Sequence, residues 1–326
     1  MPLPALFSSL RLPVIASPMF IVSGPELVIA QCKAGVVGSF PALNARPAAQ
    51  LDEWLHQITE DLAAHNRDHP ESPAAPFAVN QIVHRTNNRL DEDMAACARR
   101  KVLLVITSLG AREDVNTAVH GWGGIVLHDV IDDGFARKAI EKGADGLIPV
   151  AAGAGGHAGA QSPFALMQEI RAWFAGPVAL SGAIACGRSI LAAQAMGADF
   201  AYIGTPWIAT AEANASPGYK QGVVDGRAAD IVYSNLFTGV HGNYLRASII
   251  AAGLDPDNLP VSEPGKLNFG SGGLGDAKAW KDIWGSGQGI GAVTMVETVA
   301  QRVDRLSDEY QSAKRELGSK IGAPLV

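Results

Sequence analysis

The stretch Ala152-Gly153-Ala154-Gly155-Gly156-His157-Ala158-Gly159 holds a single ionisable side chain among residues too small to build a core. Glycines at that density shape a backbone around something, and an imidazole that titrates near neutrality can accept or donate a proton there. The plain alternative is a histidine in a flexible turn. Two further phrases, Ser181-Gly182-Ala183-Ile184 and Gly204-Thr205, combine small residues with hydroxyls. Small residues let backbone N–H groups approach an anion, a following helix N-terminus favours negative charge, and the hydroxyls add hydrogen bonds. Each phrase alone is an ordinary strand-to-helix turn; both together, after consecutive strands, point to a phosphate. A last glycine-rich turn, Trp284–Gly291, carries Gln288, whose amide could serve a ligand or the protein's own backbone.

Other reactive residues are weaker candidates. His128 follows a strand and is kept as a pocket residue, and His241 lies where it could face the same pocket. His65 and His69 are spaced HxxxH but fall in a turn-rich stretch where a solvated role is the default, so no metal site is expected, and no GxSxG is present. A dinucleotide fingerprint beginning at Gly153 fails because no acidic residue closes a second strand at the required distance. The three cysteines, Cys32, Cys97 and Cys186, form no CxxC pair and suggest neither zinc nor a disulfide framework.

These residues need a scaffold. Eight short apolar runs recur: Pro13–Ala16, Gly35–Ser39, Phe77–Val83, Lys101–Thr107, Gly124–Leu127, Gly146–Val150, Pro177–Ser181 and Phe200–Gly204. Near-continuous apolar character is what parallel strands covered on both faces show. Between them, segments such as Pro25–Ala34, Leu90–Arg99, Gly134–Lys142, Pro163–Ala175 and Gly187–Met196 carry helical i, i+3, i+4 spacing. Lys33-Ala34-Gly35, Lys142-Gly143 and Met196-Gly197 read as left-handed helix caps. The alternation predicts an α/β chain folded as a (β/α)8 TIM barrel, whose sites lie at the C-terminal strand ends. Ala48–His65 is expected to be helical, with a turn over His65–Pro70. The region rich in Gly, Asn, Asp and Pro after strand eight is expected to form a partly helical cap. The division is a barrel of residues 1–212 and 292–326 with a cap over 213–291, and a closing helix near Val293–Leu317.

The 326 residues suit a barrel of about 250 plus an insertion. With 48% hydrophobic and 18% charged residues a large core is available, and 36 glycines supply many turns. A net charge of −6 without a Lys/Arg block gives nucleic acid no electrostatic footing. No apolar stretch is long enough to span a membrane, and no signal peptide is evident, so a soluble protein of a reducing compartment, cytoplasmic, is expected.

Taken together, these residues resemble the nitronate monooxygenase (formerly 2-nitropropane dioxygenase) family of FMN-dependent barrels, from Val14-Ile15-Ala16-Ser17-Pro18-Met19 to Gly287-Gln288-Gly289. The most specific element is Ala154-Gly155-Gly156-His157-Ala158-Gly159, similar to the family's loop with its catalytic histidine. The resemblance implies that FMN is held by Ser181, Gly182, Ala183, Gly204 and Thr205 at its phosphate. It also places Pro18, Met19, Asn80, His128, Gly156 and Gln288 around the flavin. Departures are His128-Asp129-Val130 where members carry Gln or Lys, Ala183 in place of a second glycine, and an incomplete Phe237–Tyr244 segment. An Asp near a flavin disfavours its anionic reduced form. The implied reaction is oxidation of a nitronate or nitroalkane with O2 to a carbonyl compound and nitrite, with no macromolecular partner beyond a homo-oligomer. Flavin-dependent enoyl reductases share the same loop, so an NAD(P)H-dependent reductase of a quinone or enoyl thioester is the alternative. A flavin-free sugar-phosphate enzyme would want a Lys at a strand end, and Lys101 opens its strand instead.

Overall fold

A computed structural model describes residues 3–262 and 280–322. The parts of the expected cap at 263–279, and of the expected barrel at 1–2 and 323–326, lie outside the described residues.

The elements run β1 Val14–Ala16, α1 Pro25–Lys33, β2 Gly38–Pro41, α2 Gln50–Asp68, β3 Phe77–Ile82 and α3 Leu90–Arg99. They continue with β4 Leu104–Ser108, α4 Glu113–Gly121, β5 Ile125–Val130, α5 Asp133–Glu141, β6 Gly146–Pro149 and β7 Gly156–His157. Then come α6 Pro163–Arg171, β8 Ala179–Leu180, α7 Gly187–Ala195, β9 Phe200–Ile203 and α8 Thr205–Ile208. The last part holds α9 Pro217–Asp225, β10 Ile231–Ser234, β11 Gly242–Leu245, α10 Arg246–Ala251 and α11 Val299–Ile321.

Parallel ladders join β2-β3-β4-β5-β6 and β1-β9-β8. Single parallel bridges, Ile15 to Val37 and Leu147 to Val178, connect the two sets at both seams. The eight strands therefore close into one ring. The apolar runs of the sequence supply all eight, and Gly35, Gly143 and Gly197 take φ of 89°, 87° and 96°, as the cap phrases require. Inside the ring, Ile15, Leu104, Ile106, Leu127 and Ile148 form a core distinct from the larger one between strands and helices. Phe7, on a short 3-10 turn over Ala5–Phe7, plugs that interior with its ring 4.6 Å from Phe200. The Pro- and Leu-rich N-terminus showed no periodicity that would announce this role.

Some boundaries moved. Helix α2 persists to Asp68, three residues into the stretch expected to turn, although its buried face, Leu51, Leu55, Ile58 and Leu62, ends before that last turn. Helix α4 was not anticipated; Val115 and Val119 bury its inner side. The closing helix starts at Val299 rather than near Val293, where Thr298 and Gln301 form a reciprocal cap. The segment after β9 also contains strands, since β10 pairs antiparallel with β11, which pairs in turn with β7. Among the described residues no helix is long and apolar enough to cross a membrane.

Helix α11 docks on α7 at close range. Gly187 donates its N–H to the Glu309 carboxylate at 2.7 Å, and a Cβ built on Gly187 would lie 2.1 Å from the Tyr310 backbone nitrogen. Backbone on both sides leaves no room to relax. Gly187→Ala should therefore cost about 3 kcal/mol of stability, read from the midpoint of chemical denaturation. A loss of a few tenths would mean that α11 does not sit against α7 in solution.

Candidate active site

A cavity of about 910 Å³ opens at the C-terminal ends of the strands, a size in the upper part of the ~300–1,000 Å³ range of small-molecule sites. Pro18 and Met19 border it after β1, and Asn80 and His128 from β3 and β5. Gly156 and His157 reach it from β7, Ser181, Gly182 and Ala183 from beyond β8, and Gly204 and Thr205 from beyond β9. Closure of the ring thus gathers residues spread over nearly 190 positions of the chain. Gln288 is the exception. Its side chain is exposed and packs on Gly153, its N–H donates to the Gly153 carbonyl at 2.8 Å, and it is absent from the cavity lining.

The loop carrying His157 is not a free turn. Gly156 and His157 pair with Asn243 and Gly242 of β11. Asn243 Nδ2 donates to the Ala154 carbonyl at 2.6 Å, and the Tyr233 hydroxyl donates to the Ala158 carbonyl at 2.9 Å. His157 Nε2 lies 2.9 Å from the Thr238 hydroxyl, which gives its own proton to the Val240 carbonyl. That direction assigns the Nε2–H tautomer to the imidazole. Trp280 meets the ring edge-on at 5.2 Å and stacks with Phe20, so an aromatic wall stands beside the imidazole. Burial pulls the His157 pKa down to about 4, leaving a neutral imidazole at physiological pH. The cap residues that fix it carried no legible signal, because their pairing with β7 spans more than 80 positions.

His128 and Asp129 divide the end of β5 between them. Strand alternation puts Asp129 with Leu127 on the inner side and His128 with Val126 on the outer side. The His128 imidazole is buried, 2.6 Å from the Thr107 hydroxyl, and its pKa is also lowered to about 4 by burial. The Asp129 carboxyl also borders the cavity, from the inner side, and receives hydrogen bonds from Ser108 and the Leu109 N–H, while burial raises its pKa to about 6. Asn80 Nδ2 donates to Ser108 Oγ at 2.7 Å, which leaves the Ser108 proton for Asp129. Tyr202, bonded to Ser17, stands in the field of Asp129, and burial and that charge hold its phenol protonated. Tyr202, Ser108 and Ser17 were missed by sequence reading, although a polar residue two positions beyond an inward apolar one is the signal that finds them.

The two expected phosphate segments lie side by side because β8 and β9 are neighbours. Among the described residues the N–H groups of Gly182 and Ile184 have no acceptor, and both residues border the cavity. Gly182 takes a φ of 144°, and a Cβ there would lie 3.0 Å from the Ala152 carbonyl oxygen. Ala183 adopts a φ of 53°, a left-handed backbone that costs an alanine roughly 1 kcal/mol. Such strain persists only where the surroundings impose it. Thr205 Oγ1 accepts from the Gly287 N–H at 2.9 Å, tying the last glycine turn to this corner. The N-terminus of α7 is met by Glu309, whose carboxylate accepts the Gly187 N–H at 2.7 Å.

The nitronate monooxygenase family model matches residues 4–309. The chain belongs to that family. A nitronate monooxygenase from Paraburkholderia phytofirmans is 26% identical over 75% of this chain and 76% of its own length. Matched stretches cover as little as 50% of a curated relative. Among solved structures, a nitroalkane oxidase from Streptomyces ansochromogenes superposes with a TM-score of 0.79 at 21% identity, covering 96% of this chain and all 100% of that one. FabK from Thermotoga maritima gives 0.75 at 21% identity, with 97% of each chain covered. These likenesses establish the barrel fold, and family membership makes the protein a flavin-dependent oxidoreductase. The paired N–H groups, the two hydroxyls and the roomy cavity fit a flavin phosphate and ring.

The perturbed groups predict a pH response. Histidines in an unfolded chain titrate near 6.5, and His128 and His157 stay neutral in the fold down to about 4. Their contribution to stability is complete above pH 6.5 and is lost as pH falls toward 4. Asp129, raised to about 6, acts in the opposite sense, its contribution being present at low pH and lost as pH rises through 6. Two histidines outweigh one carboxyl, so the melting temperature should fall between pH 6.5 and 4. His128→Gln should flatten that fall, and an unaltered slope would remove His128 from the account.

Proposed function

We propose that this flavoenzyme uses FMN to oxidise a nitroalkane or its nitronate, with O2, to a carbonyl compound and nitrite. The observation that carries the reading is the cavity shared by His157 and the acceptor-free N–H groups of Gly182 and Ile184. Those N–H groups, with the hydroxyls of Ser181 and Thr205, would hold the FMN phosphate. Pro18, Met19, Asn80 and Gly156 would border its ring system. Bound FMN supplies the electron acceptor that passes reducing equivalents to O2. The neutral imidazole of His157 can take the proton from the carbon bearing the nitro group, or hold the nitro oxygens, and its pairing through β7 keeps it in one orientation. The Trp280 and Phe20 wall excludes water from that proton transfer.

One observation favours a second reading. Ile131, Phe135 and Tyr233 leave an apolar rim at the cavity mouth, which suits a quinone or an enoyl thioester reduced with NAD(P)H. An anaerobic visible spectrum separates the two. A yellow protein unaffected by NADH and NADPH but bleached by a short alkyl nitro compound supports the oxidation, and rapid bleaching by a pyridine nucleotide supports the reductase. In either case His157→Ala should retain FMN and lower kcat by about 10²–10⁴-fold, the usual contribution of a general acid or base. Unchanged kcat would overturn its role.

A further inference from the structure

The charge balance of the cavity carries a conclusion about its substrate. Among the described residues the lining contains no Lys or Arg, yet it holds two carboxyls, Asp129 at the inner end of β5 and Asp132 at the cap of α5. Asp132 accepts the N–H of Phe135 at 2.8 Å and belongs to the rim. Asp129 lies deeper, on the inward side of the strand, with Tyr202 and Ser108 around it. Outside it stands the apolar rim, where Ile131, Phe135 and Tyr233 are 45%, 52% and 44% exposed. A molecule entering over that rim would lose water from its apolar part before reaching the carboxyl.

We propose that Asp129 sets the charge selectivity of the cavity, so that the substrate is a neutral molecule with an apolar group and its anionic counterparts are rejected. The inference rests on the cavity being the substrate site of a flavoenzyme. Two like charges at close range in a partly desolvated site repel strongly. Asp129 is mainly ionised above the value of about 6 to which burial raises it, so the repulsion operates at neutral pH. Of the four lining histidines, His128 and His157 stay neutral until about pH 4, while His84 is bonded to the Thr86 hydroxyl and His241 stacks on Tyr233 at the rim, away from Asp129 on the inner side of its strand. For the proposed oxidation this means the neutral nitro compound is admitted in preference to its nitronate, and His157 receives the proton inside the cavity.

Three probes of one shape test the idea: nitrobenzene is neutral, benzoate is an anion and benzamidinium is a cation. Their affinities for the FMN-loaded protein are measured by calorimetry at pH 7.5. In the native protein benzoate should bind at least tenfold more weakly than either of the others. Asp129→Asn should narrow the gap between benzoate and nitrobenzene by about tenfold, with nitrobenzene affinity itself changing little. Benzoate binding to the native protein as tightly as benzamidinium overturns the proposal without recourse to any variant. A gap that survives Asp129→Asn in folded protein, checked by circular dichroism, overturns it as well. The visible spectrum of each preparation reports FMN separately: a colourless protein that cannot be reconstituted defeats the cofactor reading, while the charge order of the probes still decides the role of Asp129.

Discussion

Pairing of β1 with β9 closes the ring of eight parallel strands, and the site exists only because that ring is closed. A parallel strand has its C-terminal end at the same rim as its neighbours, so closure turns eight separate loops into one cavity wall. Residues from Ser17 to Thr205 then face a common space, although the short segments that carry them are spread along the chain. The interior below is filled by aliphatic side chains and sealed by Phe7, which makes the ring a packed core with a polar upper layer. Asn80, Ser108, Asp129 and Tyr202 form that layer because they continue the inward register of apolar residues beneath them.

A second sheet, smaller and antiparallel, completes the site from above. Strand β7 contributes only Gly156 and His157, yet through β11 and β10 it fastens the segment after β9 to the barrel rim. The glycines around His157 are explained by this crowding. A Cβ on Gly155 would lie 2.8 Å from the Gly287 nitrogen, and one on Gly242 would lie 2.8 Å from the Gly156 oxygen. Two glycine-rich stretches far apart in sequence thus pack backbone on backbone, and the imidazole is oriented by main-chain pairing as well as by Thr238.

The electrostatics of the cavity follow from burial. Desolvation keeps His128 and His157 uncharged and raises one carboxyl, and the described lining offers no Lys or Arg to counter it. A neutral imidazole is able to take up a proton, and a carboxyl held by Ser108 and Leu109 marks the end of the cavity where negative charge is unwelcome. Proton transfer and charge preference therefore reside in different residues, which allows each to be altered alone.

The sequence by itself determined the eight strands, most of the crossover helices and the loops that meet at the rim. Those features are local: apolar runs, helical spacing, glycine caps and the phrase around His157 each reside within a dozen residues. It also pointed to the family, through the phrase around His157, and the family model matches residues 4–309. What only the tertiary structure decided depends on partners far away or on side-chain direction. Gln288 was set against Gly153, 135 positions earlier, by its N–H donating to the Gly153 carbonyl. The N-terminus of α7 went to Glu309, more than 120 positions later. Asp129, and not His128, was placed on the inner face of the ring, because strand alternation is counted from the barrel interior, and the interior is defined only once the ring has closed.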